Sequence, residues 1–389
     1  MARARPVRLR HIAGIGVDRM GAIADASDRN FLRLENLDTD IPPDPAAIER
    51  TRQAATNDVD NSYLPFVGQT RLREIAAAHV SRISGVRYSG ERNCVISAGG
   101  LSGILNVLLA TVETGDEVLV TDPTYAGLIN RIRLAGGVPK FVPFHFTPGS
   151  AWRLDLQALR AAMGPKVTAM LLMSPSMPSG GYLEASDWAV VAELCCAHDV
   201  NLILDTAMER LLFDDRPVIH PAGFTGMAER TITVGSCSKE LRMIGWRVGW
   251  IVAPEHLMAD LVAVSLANVV VPVGIAQDAV ATALENSRLG LMPYVRELQT
   301  RRDVLMRELD GLPFGLPAGG WSMLLRTSDF DIDGATLSSR LLEQEVCATA
   351  MTGWGEIHGE QYIRFVFANE PVTRLSGVGE RVRNALGIA

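Results

Sequence analysis

The chain has 389 residues, 48% of them apolar and 21% charged, and its 37 basic against 44 acidic side chains leave a net charge of −7. That length suits two domains, or one large domain with a smaller one appended, and the composition is that of a globular enzyme. A net negative charge argues against a nucleic-acid binder, which needs a concentrated basic surface. No apolar run reaches membrane-spanning length. The most apolar stretch, residues 261–276, is interrupted by Ser265, Asn268 and Pro272 and reads as buried helix and loop.

In chain order, the basic start MARARPVRLRH is not followed by an apolar stretch long enough for a signal peptide, and it reads as a mobile arm rather than a transit peptide. Residues 1 to about 50 have no room to fold alone and are expected to dock on the smaller domain or on a partner. From about residue 93 to 250, short β-branched runs alternate with helical patterns. Strands are expected at 94–97, 117–121, 139–143, 168–173, 201–204, 231–235 and 248–252, with helices at 101–112, 127–135, 154–163 and 185–198. Each strand is a near-continuous apolar run, so both sheet faces are expected to be covered by helices. That pattern predicts an α/β fold with a mostly parallel sheet. Beyond Pro272 a helical tract (275–309, interrupted near Gly290 or Pro293) leads into a mixed region with strands at 321–326 and 362–368 and helices at 333–345 and 372–386. The expected division is an N-terminal arm or part of the small domain over 1–50, a large domain over 51–285 and a small α+β domain over 286–389.

Five cysteines (Cys94, Cys195, Cys196, Cys237, Cys347) show no C-x-x-C spacing and are odd in number. They read as small buried hydrophobes of a reducing, cytoplasmic compartment, with no metal site among them.

The sharpest chemical signal runs from Ser236 to Arg247: Ser-Cys-Ser-Lys, then seven residues, then Arg. It follows an apolar strand, so Lys239 falls where open α/β sheets bind ligands. An amine flanked by small hydroxyls, with an arginine eight positions on, meets the needs of a phosphorylated aldehyde. Lys239 would form an imine while Ser236, Ser238 and Arg247 hold the phosphate. Alternatively, this is an exposed loop lysine beside a surface arginine. Asp205 directly follows the strand at 201–204; it could pair with a pyridinium nitrogen or simply cap the next turn. Gly99-Gly100, leading into the helix from Leu101, could let backbone approach a phosphate at a helix N-terminus, or serve tight packing.

Together these segments resemble the fold type I aminotransferases of class I/II, over residues 34–367. The resemblance implies pyridoxal 5′-phosphate as cofactor, carried as a Schiff base on Lys239. It implies transfer of an amino group between an L-amino acid and a 2-oxo acid. Further pieces follow in the family's order. Tyr63, ahead of Gly68 and Leu72-Arg73, resembles the tyrosine that reaches the neighbouring subunit's cofactor phosphate, which implies a homodimer. Tyr125 in Asp122-Pro-Thr-Tyr matches the ring that stacks on the pyridine. Ser174-Pro-Ser-Met-Pro-Ser-Gly180 matches the Pro-x-Asn-Pro-[Thr/Ser]-Gly loop, Gly319-Gly320 precedes a strand, and Arg364 matches the arginine that clamps the substrate α-carboxylate. The freed Lys239 would then carry the proton from Cα to the cofactor carbon.

Three positions depart from the family. Met177 stands where an asparagine donates to the cofactor's ring oxygen, and Met208 where a tyrosine donates a second bond; methionine cannot donate. Unless Ser174, Ser176, Thr206 or water substitutes, the bound imine is expected to hold its proton to higher pH; otherwise the methionines are packing substitutions. Asp38 falls near a glycine of the family that faces substrate, where it could favour a cationic substrate or be a surface-loop residue. The changed ring environment keeps a rival open: the same cofactor doing decarboxylation, elimination or oxidation. A sensor with an aminotransferase-like domain behind a DNA-binding one is disfavoured, because the resemblance begins near residue 34 and the charge is negative.

Overall fold

A computed structural model describes residues 6, 9–12 and 14–388, so most of the basic start at residues 1–11 lies outside the described residues. Eight strands form one sheet in the order Cys94–Ser97, Gly249–Val252, Thr231–Ser236, Asn201–Asp205, Val167–Met173, Glu117–Asp122, Val138–His145 and Arg153–Leu154. The five strands from Thr231–Ser236 to Val138–His145 pair in parallel; Gly249–Val252 and the short edge strand run antiparallel to their neighbours. Every residue of Cys94–Ser97, Thr231–Ser236 and Gly249–Val252 is buried, as their unbroken apolar runs require of a sheet covered on both faces.

The covering helices begin and end on local signals. Glu184 and Asp187 form a reciprocal capping box at Ala185–His198, and Asp155 caps Leu156–Ala162 by accepting from the Ala158 amide. Parallel pairing brings the C-terminal ends of several strands to one edge: Met173 lies opposite Asp205, which in turn lies opposite Val234. The loops after these strands therefore converge.

The tract after Pro272 is two helices, Gly274–Gly290 and Met292–Glu308, meeting at Leu291. Beyond it Ser322–Arg326 and Thr349–Ala350 flank Tyr362–Val366, both antiparallel to it. Leu32–Arg33 pairs in parallel with Val346–Cys347, so the chain's beginning is bonded to its last third. Helix Pro45–Ala55 packs instead on Gly274–Gly290.

Three expectations need correction. The helix expected over 372–386 is two, Val372–Leu375 and Val378–Leu386, because Gly377 turns to φ +81° between them. The stretch 261–276 is not wholly buried: Leu266, Val270 and Val273 are exposed, since helix Met258–Val269 buries only the face carrying Met258, Leu261 and Ser265. Cys196 is exposed while the other four cysteines are buried, because neighbouring helix positions point about 100° apart.

Candidate active site

The converging loops enclose a cavity of about 210 Å³, whose lining includes Tyr125, Met177, Asp205, Met208, Lys239 and Arg247. Lys239 follows strand Thr231–Ser236, and its Nζ donates to the Leu37 carbonyl at 3.3 Å. The same nitrogen lies 4.1 Å from the centre of the Trp321 ring. Burial, reinforced by the positive charge of Arg364, brings its pKa down to about 7, against the opposing pull of Asp38 and Asp205. A lysine so poised holds a substantial fraction of free amine, and hence of nucleophile, near neutral pH.

Asp205 ends its strand, and its Oδ1 accepts from the Ala207 amide at 3.0 Å. Burial lifts its carboxyl to about 6, while that amide and the charges of Lys239 and Arg131 hold it lower than burial alone would. It stays mostly ionised at neutral pH and can face a protonated ring nitrogen.

Anion-binding groups gather at the other end. The Ser236 hydroxyl donates to Ser238 Oγ at 3.1 Å, and Arg247 Nη1 donates to Ser238 Oγ at 3.3 Å and to the Ile244 carbonyl at 2.8 Å. Gly99, at φ +88°, opens helix Gly100–Thr111; a Cβ there would stand 2.8 Å from Arg247 Nη2. The absence of side chains at Gly99 and Gly100 leaves that helix end, with its unpaired amides, open beside a guanidinium and two hydroxyls. This set fits a phosphate dianion. Leu101 and Gly100 line the cavity from the same turn.

On a further side, Tyr125 meets Trp354 edge to face, with centroids 5.2 Å apart. Arg364 is fully buried and lies over the same indole at 4.7 Å. Its Nη2 donates to the Glu35 carbonyl at 2.7 Å and to Thr349 Oγ1 at 3.3 Å, while Nε and Nη1 have no partner. Two buried donors left open on one guanidinium suit a carboxylate that arrives with the substrate. Burial lowers the Arg364 pKa to about 10, which leaves it charged at neutral pH.

The structure thus gathers Lys239, Asp205, Tyr125, Gly100, Leu101, Met177, Met208, Ser236, Ser238 and Arg247 around one cavity, with Gly99 against Arg247. Asp38 follows Leu37 at its border. Tyr63 does not join them: its side chain is 81% exposed. Of the hydroxyls that could replace the missing ring-oxygen donors, Thr206 Oγ1 already donates to the Val234 carbonyl at 3.1 Å. Ser174 Oγ accepts from Leu183, and Ser176 Oγ is buried without a partner.

Sequence reasoning missed Leu37, Trp321, Trp354 and Arg131. Trp321 directly follows Gly319-Gly320, which is a findable signal. Trp354 arrives through Asp122, whose carboxylate accepts from the amides of Glu356 (2.7 Å), Ile357 (2.8 Å) and His358 (3.2 Å), a pairing across the chain that no local pattern announces. Arg131 ties the cup to its neighbouring helix by donating to the carbonyls of Leu101 (2.8 Å) and Gly127 (2.9 Å).

An amine of depressed pKa, a carboxylate across the cavity and an anion cup at a helix N-terminus, on a parallel sheet, define an enzyme that uses pyridoxal phosphate. The family described as "Aminotransferase class I and II" matches residues 32–376. Human kynurenine–oxoglutarate transaminase 1 is 28% identical over 393 residues, covering 92% of this chain and 93% of its own. The structure of N-succinyldiaminopimelate aminotransferase from Mycobacterium tuberculosis superimposes with TM-score 0.91 at 29% identity, covering 98% of this chain and all (100%) of that one. Aspartate aminotransferase from Thermus thermophilus gives 0.87 at 26% identity, over 99% and 98%. The chain belongs to the class I and II aminotransferases: it is a pyridoxal-phosphate-dependent transaminase, acting on an amino acid and a 2-oxo acid. These relatives support transamination and lend nothing to the decarboxylase, lyase or oxidase alternative.

Proposed function

We propose that Lys239 is the residue that bonds the cofactor and moves the proton, and that the surrounding side chains divide the remaining work. When bound, the cofactor supplies an aldehyde for exchange of amines and a ring that takes up the electron pair released at Cα. Asp205 keeps a proton on the ring nitrogen. Ser236, Ser238, Arg247 and the amides of Gly100 and Leu101 bind the phosphate, the Gly99 amide being committed to the Ser97 carbonyl at 2.9 Å. Tyr125 stacks on the ring and excludes water from one face, Met177 and Met208 border its oxygen, and Arg364 presents Nε and Nη1 to the substrate α-carboxylate. Lys239 Nζ would then take the proton from Cα and deliver it across the amino nitrogen to the cofactor carbon that carried the aldehyde.

The observation that carries this reading is the Lys239 amine, brought to about 7 in a cavity that Asp205 and Arg247 also line. The test is borohydride reduction of the loaded enzyme followed by peptide mass analysis. A single adduct on Lys239 is expected, and an adduct on another lysine defeats the assignment.

A homodimer accompanies this proposal. Val59, Tyr63 and Phe66 are exposed, and so are Val270 and Val273. The two segments adjoin, because a Cβ at Gly274 would touch Leu64. An exposed apolar face of this kind suits a second copy, to whose cofactor Tyr63 would reach. The proposed domain division is an N-terminal arm or part of the small domain to residue 50, a large domain to 285 and a small one to 389, and the pairing of Leu32–Arg33 with Val346–Cys347 supports joining the first segment to the small domain. Five free thiols, four of them buried, support a reducing, cytoplasmic setting.

A further inference from the structure

The segment from Leu37 to Asp44 passes directly beside Lys239, since the Leu37 carbonyl accepts from Nζ at 3.3 Å. Three acids lie on it. Asp40 is neutralised by Arg301, whose Nη1 and Nη2 stand 2.6 and 3.3 Å from its two oxygens. Asp44 caps helix Pro45–Ala55 through the Ala46 amide at 2.8 Å and accepts from Asn286 Nδ2 at 2.8 Å. Asp38 differs: Oδ1 accepts from the Thr39 amide at 2.7 Å, and among the described residues no cation pairs with it. Its neighbours fix the loop, so this uncompensated carboxylate is held next to the reacting amine. Of the charges facing Lys239 (Arg364, Asp38, Asp205 and Arg247), Asp38 pulls on it more strongly than Asp205 does.

We propose that Asp38 is a specificity-determining residue that selects amino acids whose side chain ends in a cation and turns away those ending in a second carboxylate. The assignment rests on the transaminase reading of the same cavity and adds the substrate class to it. A carboxylate exposed at the border of the cavity attracts an ω-ammonium and repels an ω-carboxylate, and the preference weakens as salt screens it. Norleucine, which carries hydrogen where lysine carries its terminal amino group, loses this attraction.

The test uses the loaded holoenzyme in single half-reactions with L-lysine, L-norleucine and L-glutamate, read as loss of visible cofactor absorbance. The rate constant per unit concentration is expected to favour lysine over norleucine by about tenfold at low ionic strength, with glutamate slowest. In Asp38→Asn the lysine-to-norleucine ratio falls toward one and glutamate gains. Should that variant not fold, salt titration of the wild-type enzyme decides: the ratio must shrink as ionic strength rises. A ratio near one in the wild type, or a ratio untouched by Asp38→Asn and by salt, overturns the role of Asp38 while leaving transamination intact. Absence of reaction with any amino acid removes the transaminase reading, and this inference with it.

Discussion

Lys239 Nζ lies 4.1 Å from the centre of the Trp321 ring. The indole helps hold the side chain in place while burial and Arg364 strip it of its proton. The free amine is the reactive form, so the apoenzyme should capture pyridoxal phosphate at a rate that climbs with pH through about 7 and levels above it. Stopped-flow absorbance between pH 5.5 and 10 measures this. A rate still rising tenfold per unit at pH 9, as an ordinary lysine gives, contradicts the depressed pKa.

Asp205 should make the apoenzyme less stable than it could be. Folding raises its pKa from 3.8 to about 6, so the native state keeps a proton that the unfolded chain has already released. Its contribution therefore declines as pH rises from about 4 to about 6 and stays lost above. By linkage the loss is about 3 kcal/mol, to order of magnitude. Asp205→Asn should unfold at higher denaturant concentration than wild type at pH 8 when cofactor-free, yet bind the cofactor more weakly. If the apo variant is less stable at pH 8, the carboxylate is stabilising and the reasoning fails.

Met177 and Met208 offer the ring oxygen no proton, and Thr206 has committed its own to Val234. The Schiff base of the resting enzyme should accordingly stay protonated, and absorb at long wavelength, to higher pH than in Met208→Tyr, which restores a donor. Visible titration of both proteins gives the comparison. A transition at the same pH in each means that a buried hydroxyl such as Ser176 or a water already fills the role.

Arg364→Lys should lower kcat/KM at least ~30-fold with every amino acid, because a lysine supplies neither the fork of donors nor the stacking on Trp354. A loss below threefold would show that the α-carboxylate is held elsewhere.

Charging the exposed apolar face should separate the copies. Val270→Asp combined with Val273→Asp is expected to give monomers by sedimentation velocity and to weaken cofactor retention, since Tyr63 could no longer serve its neighbour. A wild-type protein that sediments as a monomer disposes of the dimer.

Much of the parallel sheet was legible from local text: the strands Val167–Met173, Asn201–Asp205 and Thr231–Ser236 are apolar runs whose ends agree with the expected ones to within a residue. Lys239, Asp205 and Arg247 could be picked out because each follows a strand or a glycine turn, positions where chemistry is constrained by a few adjacent residues. The break at Gly377 and the outward face of 261–276 were not legible. A helix pattern tells that one face is apolar but not whether a second surface exists to cover it.

The sequence by itself determined the order of elements, the covalent neighbourhood of Lys239 and the absence of donors at 177 and 208, since all three are properties of residues close along the chain. Only the tertiary structure decided that Trp354 touches both Tyr125 and Arg364, that Leu37 meets Lys239, and that Arg301 neutralises Asp40 while, among the described residues, no cation pairs with Asp38. Those contacts include pairs distant in sequence, 229 positions apart for Tyr125 and Trp354, and they exist because burial of the apolar strands forces the loops at one sheet edge into a common space.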